Sequence, residues 1–396
     1  MARTIFHTSL ALAGCALLGC SGVDGSSESG TTIGDGFTPG TGAGDGSGRS
    51  TGSSGPGLVV SPPSAGASAT ASDSSSGSPS STPAVTPTPG GTGTGNGTVG
   101  RSILTAGAWD DNRNFDFFLD YRKTRVAAQT PGLLTIPDDA YSTANVFFSQ
   151  PASAKSTLDI SLVIDTTGSM GDEIKYLQSE FITLANTISE RYPNAAQHWS
   201  LVLYKDVTDP YIVKWFDFRA DPLEFQTKLD LASADGGGDF PEAPDQALAK
   251  AALLDWRSDP TTARLAFWVA DAPHHALNAG ALSDAVLALQ ERKVHVYPVA
   301  SSGVDDFTEL TMRSVAQLTG GRYLFLTNDS GVGGDHKEPT VPCYFVTKLD
   351  RAILRMVDIE LSGAYREPNA DEVLRTGGSP ENGACTLESG QVVTIY

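Results

Sequence analysis

Two acidic motifs lie about a hundred residues apart, Asp165-Thr166-Thr167-Gly168-Ser169-Met170 and Phe267-Trp268-Val269-Ala270-Asp271. Each sets an aspartate at the end of an apolar run, Ile160 to Ile164 in the first and Leu265 to Ala270 in the second. Asp165 and Asp271 bring carboxylates, and Thr167 and Ser169 bring neutral hydroxyls. An all-oxygen donor set of this kind suits a hard divalent cation. Mg2+ takes six oxygens in a near-octahedral array and usually keeps several waters. Hydroxyl ligands leave most of its charge uncompensated. Asp165 and Asp271 then act partly through water, orienting the hydroxyls.

Other chemistries fit less well. His274 and His275 follow Asp271, but no third histidine or cysteine stands at ligand spacing, and neither His-Glu-x-x-His nor Gly-x-Ser-x-Gly occurs. His274 is read as packing beside the site. Gly236, Gly237 and Gly238 lack the following Lys-Ser/Thr of a phosphate loop. The chain is not expected to be an enzyme.

The elements that must position these residues follow from periodicity. Apolar runs at 158–164, 199–203, 212–218, 265–270, 294–300 and 322–326 read as strands. Ile174, Leu177, Phe181, Leu184 and Ile188 recur at three- and four-residue spacing, which predicts a helix after the first strand. Further helices are predicted over 222–231, 241–256, 281–292, 305–318 and 345–361. The turn Val207-Thr208-Asp209-Pro210 is too short for a parallel crossover, so the third strand runs antiparallel to the second. The alternation gives an α/β fold, a mostly parallel sheet with helices on both faces. In such sheets ligands bind beyond the carboxyl ends of the strands, where strand order reverses.

Between the two aspartate motifs lies Gly236-Gly237-Gly238-Asp239-Phe240-Pro241-Glu242. Three such loops in this order resemble a von Willebrand factor type A domain, over about residues 156–362. The resemblance implies a Rossmann-like doubly wound sheet of six strands, order 3-2-1-4-5-6, with one antiparallel edge strand. It also implies a metal-ion-dependent adhesion site holding Mg2+ or Mn2+. Asp165 matches the motif's first aspartate, Thr167 its middle hydroxyl (more commonly serine), Ser169 its last hydroxyl and Asp271 the third loop. The second loop departs from the many members that supply a threonine there. Its Asp-Phe-Pro-Glu is similar to the integrin β-subunit version, and the glycine-rich loop with Asp271-Ala272-Pro273-His274 also resembles a hemicentin-like subgroup. By that likeness Glu242 ligates the central ion and Asp239 serves a flanking site. Asp172 and Glu173 match an adjacent-site acidic pair, and Asp206 joins Asp239; Ca2+ is the expected ion at these flanking positions. The competing reading of an acidic first helical turn is simple complementation of the helix dipole. The implied partner is a protein presenting an Asp or Glu carboxylate. The alternative is a structural component of an envelope assembly, stabilised by cations without metal-mediated capture.

Composition sets the surroundings. Of the formal net charge of -19 across 396 residues, the first hundred hold five acids and two arginines, leaving most of the acidity on the remainder. No basic stripe exists to neutralise phosphates, so nucleic acid is excluded as a partner. Residues 1–19 carry Arg3, an apolar stretch and then Leu17-Leu18-Gly19-Cys20, which resembles a bacterial lipoprotein signal with Cys20 lipidated. A second box, Leu12-Ala13-Gly14-Cys15, leaves a shorter apolar region. Acyl chains anchor without spanning, and Ser21 after the cysteine points to the outer membrane of a bacterial envelope. Residues 20–100, nearly all Gly, Ser, Thr, Pro and Ala, are expected to be a disordered tether of ~80 residues spanning roughly 50 Å. Asn96-Gly97-Thr98 matches a glycosylation acceptor but reads as linker. Residues 101–155 form an aromatic, ordered preface of unassigned role, 156–362 the main domain and 363–396 a tail packed on it. Signal removal and lipidation leave Cys343 and Cys385, an even pair in an oxidising compartment. That is the pattern of a disulfide, set against two unrelated buried thiols.

Overall fold

A computed structural model describes residues 104–128 and 130–396. The signal, Cys20, the tether and Asn96 lie outside the described residues.

The chain enters as β1 (Thr105–Trp109), then α1 (Phe115–Ala127) and α2 (Asp138–Phe148). There follow β2 (Thr157–Asp165), α3 (Gly171–Arg191), β3 (Ala196–Tyr204), β4 (Val213–Arg219), α4 (Pro222–Leu229) and α5 (Pro244–Ala252). Next come β5 (Thr262–Ala270), α6 (Ala279–Glu291), β6 (His295–Ala300), α7 (Asp306–Thr319) and β7 (Tyr323–Thr327). The chain closes with β8 (Tyr344–Lys348), α8 (Leu349–Ser362), β9 (Arg375–Gly377), β10 (Ala384–Thr386) and β11 (Val392–Thr394).

Strands β4-β3-β2-β5-β6-β7 stand in the order expected from the resemblance. Pairing is parallel throughout these six except at the β4 edge, which is antiparallel to β3. The sheet does not stop at β7. It continues through β1, β8 and β9, each antiparallel to its neighbour. The preface thus contributes an interior strand, with Ala106 facing Leu326 on one side and Thr347 on the other. The edge that β1 offers also accounts for residues 344–348. The helix expected over 345–361 begins only at Leu349, and Tyr344–Lys348 is strand. Aromatic and β-branched residues fit a pleated, half-buried surface, and an available ladder overrides weak local periodicity.

Residues of β2 are buried on both faces from Leu158 onward, the mark of a central parallel strand. Leu158, Ile160, Leu162 and Ile164 meet Ile174, Leu177, Phe181 and Ile188 of α3, with α4 and α8 alongside. Val163 faces the opposite layer, built on Ala247, Leu248 and Ala251 of α5, Leu282, Val286 and Leu289 of α6, and Met312 and Val315 of α7. Alternation of strand side chains between faces produces the two layers. Asp165, next on the second face, arrives at the strand end already enclosed.

The preface is locked to α7 by buried charge. Phe118 and Tyr141 of α1 and α2 pack into the same layer as α7. The polar side of α7 is thereby cut off from water, so its charges need partners. Arg313 meets Asp111 at 2.8 Å and Glu309 at 3.3 Å, and Arg322 meets Asp110 at 3.0 Å. The tail is tied down covalently: Cys343, just before β8, is bonded to Cys385 of β10 with Cα atoms 6.0 Å apart. Opening that bridge by Cys385→Ser should cost about 4 kcal/mol, the loop-closure expectation for a sequence separation of 42 residues. Comparing denaturant midpoints with and without the bridge measures it, and unchanged midpoints would refute the estimate. Among the described residues no helix is long and apolar enough to cross a membrane.

Candidate metal centre

Two loops leave the carboxyl ends of the neighbouring strands β2 and β5, and a third, between α4 and α5, meets them. The first, 165–170, follows β2 and runs through a short 3-10 turn at Gly168–Met170 into α3. Asp165, fully buried, turns its Oδ1 back to accept from the Thr167 backbone N–H (2.9 Å) and Oγ1 (2.7 Å). This contact folds the loop so that both hydroxyl residues stand above the strand end. Ser169 lies at the surface, and its hydroxyl bonds the Asp271 carboxylate at the end of β5. Asp165, Ser169 and Asp271 therefore share one small space.

The second loop crosses this space from α4 to α5. Gly168 N–H donates to the Gly236 carbonyl (3.2 Å), joining loops one and two. Gly236 and Gly237 both take positive φ, 72° and 70°, where side chains are strained. A Cβ on Gly237 would lie 3.2 Å from Thr167 Cβ and 3.3 Å from Glu242 Oε1, so those two side chains converge on one point. Glu242 is 3% exposed, and its backbone N–H donates to the Pro273 carbonyl (2.8 Å), joining loops two and three. Asp165, Thr167, Ser169, Glu242 and Asp271 are thus brought together.

Each of the three carboxylates keeps one buried oxygen without a hydrogen-bond partner: Asp165 Oδ2, Glu242 Oε2 and Asp271 Oδ1. A buried acceptor left unpaired is costly, and these three come from three different loops. Electrostatics agree. Burial, then the neighbouring Asp271, raise the Asp165 carboxyl to about 7. Burial, then Asp165, Asp206, Asp209 and Asp271, raise Glu242 to about 9. Burial raises Asp271 as well. Like charges crowded out of water resist ionisation, and a cation relieves that repulsion. Carboxylates do not suffice alone. Among the described residues no three His, Cys, Asp or Glu side chains are grouped closely enough to hold an ion. The residues fit a hydrated ion held partly by Thr167 and Ser169 and partly through water.

The flanking acids have different surroundings. Asp172 is exposed and pairs with Lys175 at 3.7 Å. Glu173 is buried, accepts from Ser302 Oγ at 2.8 Å and leaves its Oε2 unpartnered. Asp206 is buried against His275 Nε2 at 2.6 Å, while Asp239 is exposed. His274 bonds the Gly132 carbonyl at 2.8 Å and packs on Phe307, as expected of a loop support.

Two residues that sequence reasoning missed hold the loops. Asp209, read as part of a turn, accepts from the Gly237 and Asp206 backbone N–H groups and leaves no space for a Cβ on Gly236. Lys205, 1% exposed, donates to the carbonyls of Thr166 in loop one and Asp235 in loop two, and pairs with the Asp235 carboxylate at 3.1 Å. Lys205 directly follows the central strand β3, and Asp209 lies four residues further on in the turn. Lys205→Met should lower stability by about 2–3 kcal/mol, since two charge-assisted bonds are lost and buried carbonyls are stranded. Thermal denaturation measures this, and hydrogen exchange should quicken in both loops; unchanged exchange there would rule out the clamp.

Against this geometry, residues 159–331 match a family model described as von Willebrand factor A domain. That region is a von Willebrand factor A domain. The class is not known to be catalytic. An ariadne-like RING finger protein of Acanthamoeba polyphaga mimivirus is 29% identical over 193 residues, 43% of this chain and 18% of that protein. An alpha-protein kinase of Dictyostelium discoideum is 24% identical over 132 residues, 33% of this chain and 21% of the kinase. The chain therefore spans about a fifth of the length of these curated relatives. Among solved structures, the pilus adhesin SpaC from Lactobacillus rhamnosus GG is similar at a TM-score of 0.34 and 10% identity, covering 44% of this chain and 29% of SpaC. The conserved hypothetical protein BatB from Bacteroides thetaiotaomicron has a TM-score of 0.32 and 14% identity, covering 43% of this chain and 89% of BatB. Scores this low carry no functional weight.

Proposed function

We propose that the von Willebrand factor A domain is a cation-dependent protein-binding module, which captures an Asp or Glu side chain of a partner protein at the loop cluster. One observation carries this reading: three buried, unpartnered carboxylate oxygens from three loops beside two hydroxyls, one of them at the surface. Asp165, Thr167, Ser169, Glu242 and Asp271 would hold Mg2+ or Mn2+. When bound, the ion supplies an electrophilic point for an incoming carboxylate. The chain's own contribution is to place the hydroxyls, exclude bulk water from the acids, and keep Ser169 open to solvent. Glu173, with its unpartnered oxygen, and Asp172, Asp206 and Asp239 are proposed as outlying acids of the same face, with Ca2+ as the ion tested for there. We propose that the protein is held in the bacterial cell envelope by a lipid on Cys20, at the outer membrane, on its periplasmic or its surface face.

Mg2+ titration followed by thermal denaturation tests the ion. At a hundredfold excess over the dissociation constant, linkage should add about 2.7 kcal/mol of stability, and EDTA should remove it. A melting temperature indifferent to Mg2+, Mn2+ and EDTA would end the reading. Retention of an envelope protein in Mg2+ and its release in EDTA tests partner capture. Chelation that lowers the melting temperature but leaves capture intact would favour a purely structural ion.

A further inference from the structure

Glu173 and His336 are both buried, at 2% and 7% exposure, and each keeps a polar atom without a hydrogen-bond partner, Oε2 of the one and Nε2 of the other. Ser302, in the loop after β6, links them. Its hydroxyl donates to Glu173 Oε1 at 2.8 Å. A Cβ on Gly333 would lie 3.5 Å from Ser302 Oγ and 3.6 Å from His336 Nε2, so hydroxyl and imidazole border one small space. Gly333 and Gly334 beside it are exposed, and their lack of side chains leaves a way in from solvent.

The state of the imidazole follows from its neighbour. The His336 backbone N–H donates to Asn328 Oδ1 at 2.8 Å, which fixes that atom as the amide oxygen. The same oxygen lies 2.9 Å from His336 Nδ1, so Nδ1 carries the proton and donates. Nε2 of the neutral ring is then a lone pair. Burial outweighs the pull of Glu173 and Asp335 and lowers the pKa of the ring, which favours that neutral form. A lone pair and a carboxylate oxygen are both acceptors and cannot satisfy each other. A bridging water or a metal ion can serve both. The anchored Nδ1–H favours the metal, since ligating histidines almost always donate their other ring nitrogen in this way.

The segment that carries His336 is fastened along its length. Arg375 of β9 meets Asp329 at 2.5 Å and Glu338 at 3.2 Å, and Lys337 meets Asp306 at 2.9 Å. The Asp335 carbonyl accepts from Gly303 N–H at 3.2 Å, joining this segment to the loop that bears Ser302.

We propose that Glu173 and His336 are ligands of a second metal site, for Zn2+, with the Ser302 hydroxyl beside them and water completing the coordination. An imidazole nitrogen suits Zn2+ over Ca2+ or Mg2+, which take oxygen ligands. Glu173 thereby gains an imidazole partner in place of the outlying Ca2+ considered above. The ion would tie the first turn of α3 to the loops after β6 and β7. None of its ligands is shared with the Asp165 centre, so the inference does not depend on an ion there.

Zn2+ titration of the full chain by calorimetry, in saturating Mg2+, tests the site. The parent chain should bind Zn2+. His336→Asn keeps an amide for Asn328 but has nothing at the Nε2 position, and it should weaken binding at least about tenfold. Glu173→Gln should do the same. Asn328→Ala removes only the group that orients the ring and should cost 10- to about 100-fold. Histidine-selective 15N NMR of the unsubstituted chain needs no variant to fold: the His336 Nε2 resonance should move when Zn2+ is added. Equal Zn2+ affinity in the parent and His336→Asn, or an Nε2 resonance that does not move, would overturn the site and leave a bridging water as its occupant. Zn2+ binding that Mg2+ competes away entirely would belong to the Asp165 centre and overturn it as well.

Discussion

Asp165→Ala should weaken Mg2+ binding by about 100-fold and abolish cation-dependent capture of an acidic partner, without unfolding the protein. Asp165 Oδ1 holds the Thr167 N–H and hydroxyl, while Oδ2 has no partner. The substitution therefore removes both one of the unpartnered buried acids and the contact that shapes the first loop. Loss of groups that orient metal ligands typically costs 10- to about 100-fold in affinity. Stability should respond in a way that separates this from misfolding. Asp165 stands among Asp271 and Glu242, each of which its charge disfavours or is disfavoured by. Without Mg2+, its removal relieves repulsion, so in EDTA the variant should melt no lower than the parent protein. In Mg2+ the parent should gain stability and the variant should not. Calorimetric titration and paired melts give both results. A variant that still gains stability with Mg2+ would remove Asp165 from the centre.

Asp111→Ala should destabilise the fold by about 3–5 kcal/mol, the cost of leaving a buried charge without its main partner. Arg313 has no exposed surface, and its Nε and Nη2 reach Asp111 at 3.1 and 2.8 Å. Glu309 and the Thr340 carbonyl remain at 3.3 Å each, too weak a set to replace a bidentate carboxylate. Trp109 of β1 also donates its indole N–H to Asp111 at 2.9 Å, so the change reaches the strand that extends the sheet. Burial pushes the Asp111 carboxyl up and Arg313 draws it down, so the pair stands by its geometry rather than by cheap solvation. The double variant Asp111→Ala, Arg313→Met should recover much of the loss, because an apolar side chain in that space carries no unpaired charge. Urea unfolding of the parent, both singles and the double gives the coupling. A single-variant loss below about 1 kcal/mol would show that the preface is not held by this pair.

Much of the site could be read without coordinates because its chemistry is local. Asp165, Thr167 and Ser169 lie within five residues, and the strand that ends at Asp165 announces itself by an unbroken apolar run. The order of β4-β3-β2-β5-β6-β7 followed from the resemblance and from one turn too short to cross over. Lys205 and Asp209 were not legible in that way. Each works by reaching a backbone group in another loop, 30 and 28 residues away, and spacing along the chain carries no sign of it. Asp206 shows the same limit from the other side. Its sequence position suggested Asp239, but His275, 69 residues on, is the residue that reaches it.

The ends of the sheet divide the matter most clearly. Sequence periodicity sufficed wherever a segment's apolar pattern had only one way to be buried, as in β2 with α3. It failed at 344–348, where helix and strand were both compatible with the residues and the ladder offered by β1 settled the outcome. That ladder depends on a strand more than two hundred residues earlier, held by Asp110 and Asp111 against Arg322 and Arg313. Short-range burial is written into neighbouring residues; long-range pairing is a choice among competing partners, and it is made by whichever contacts leave fewest buried polar groups unsatisfied.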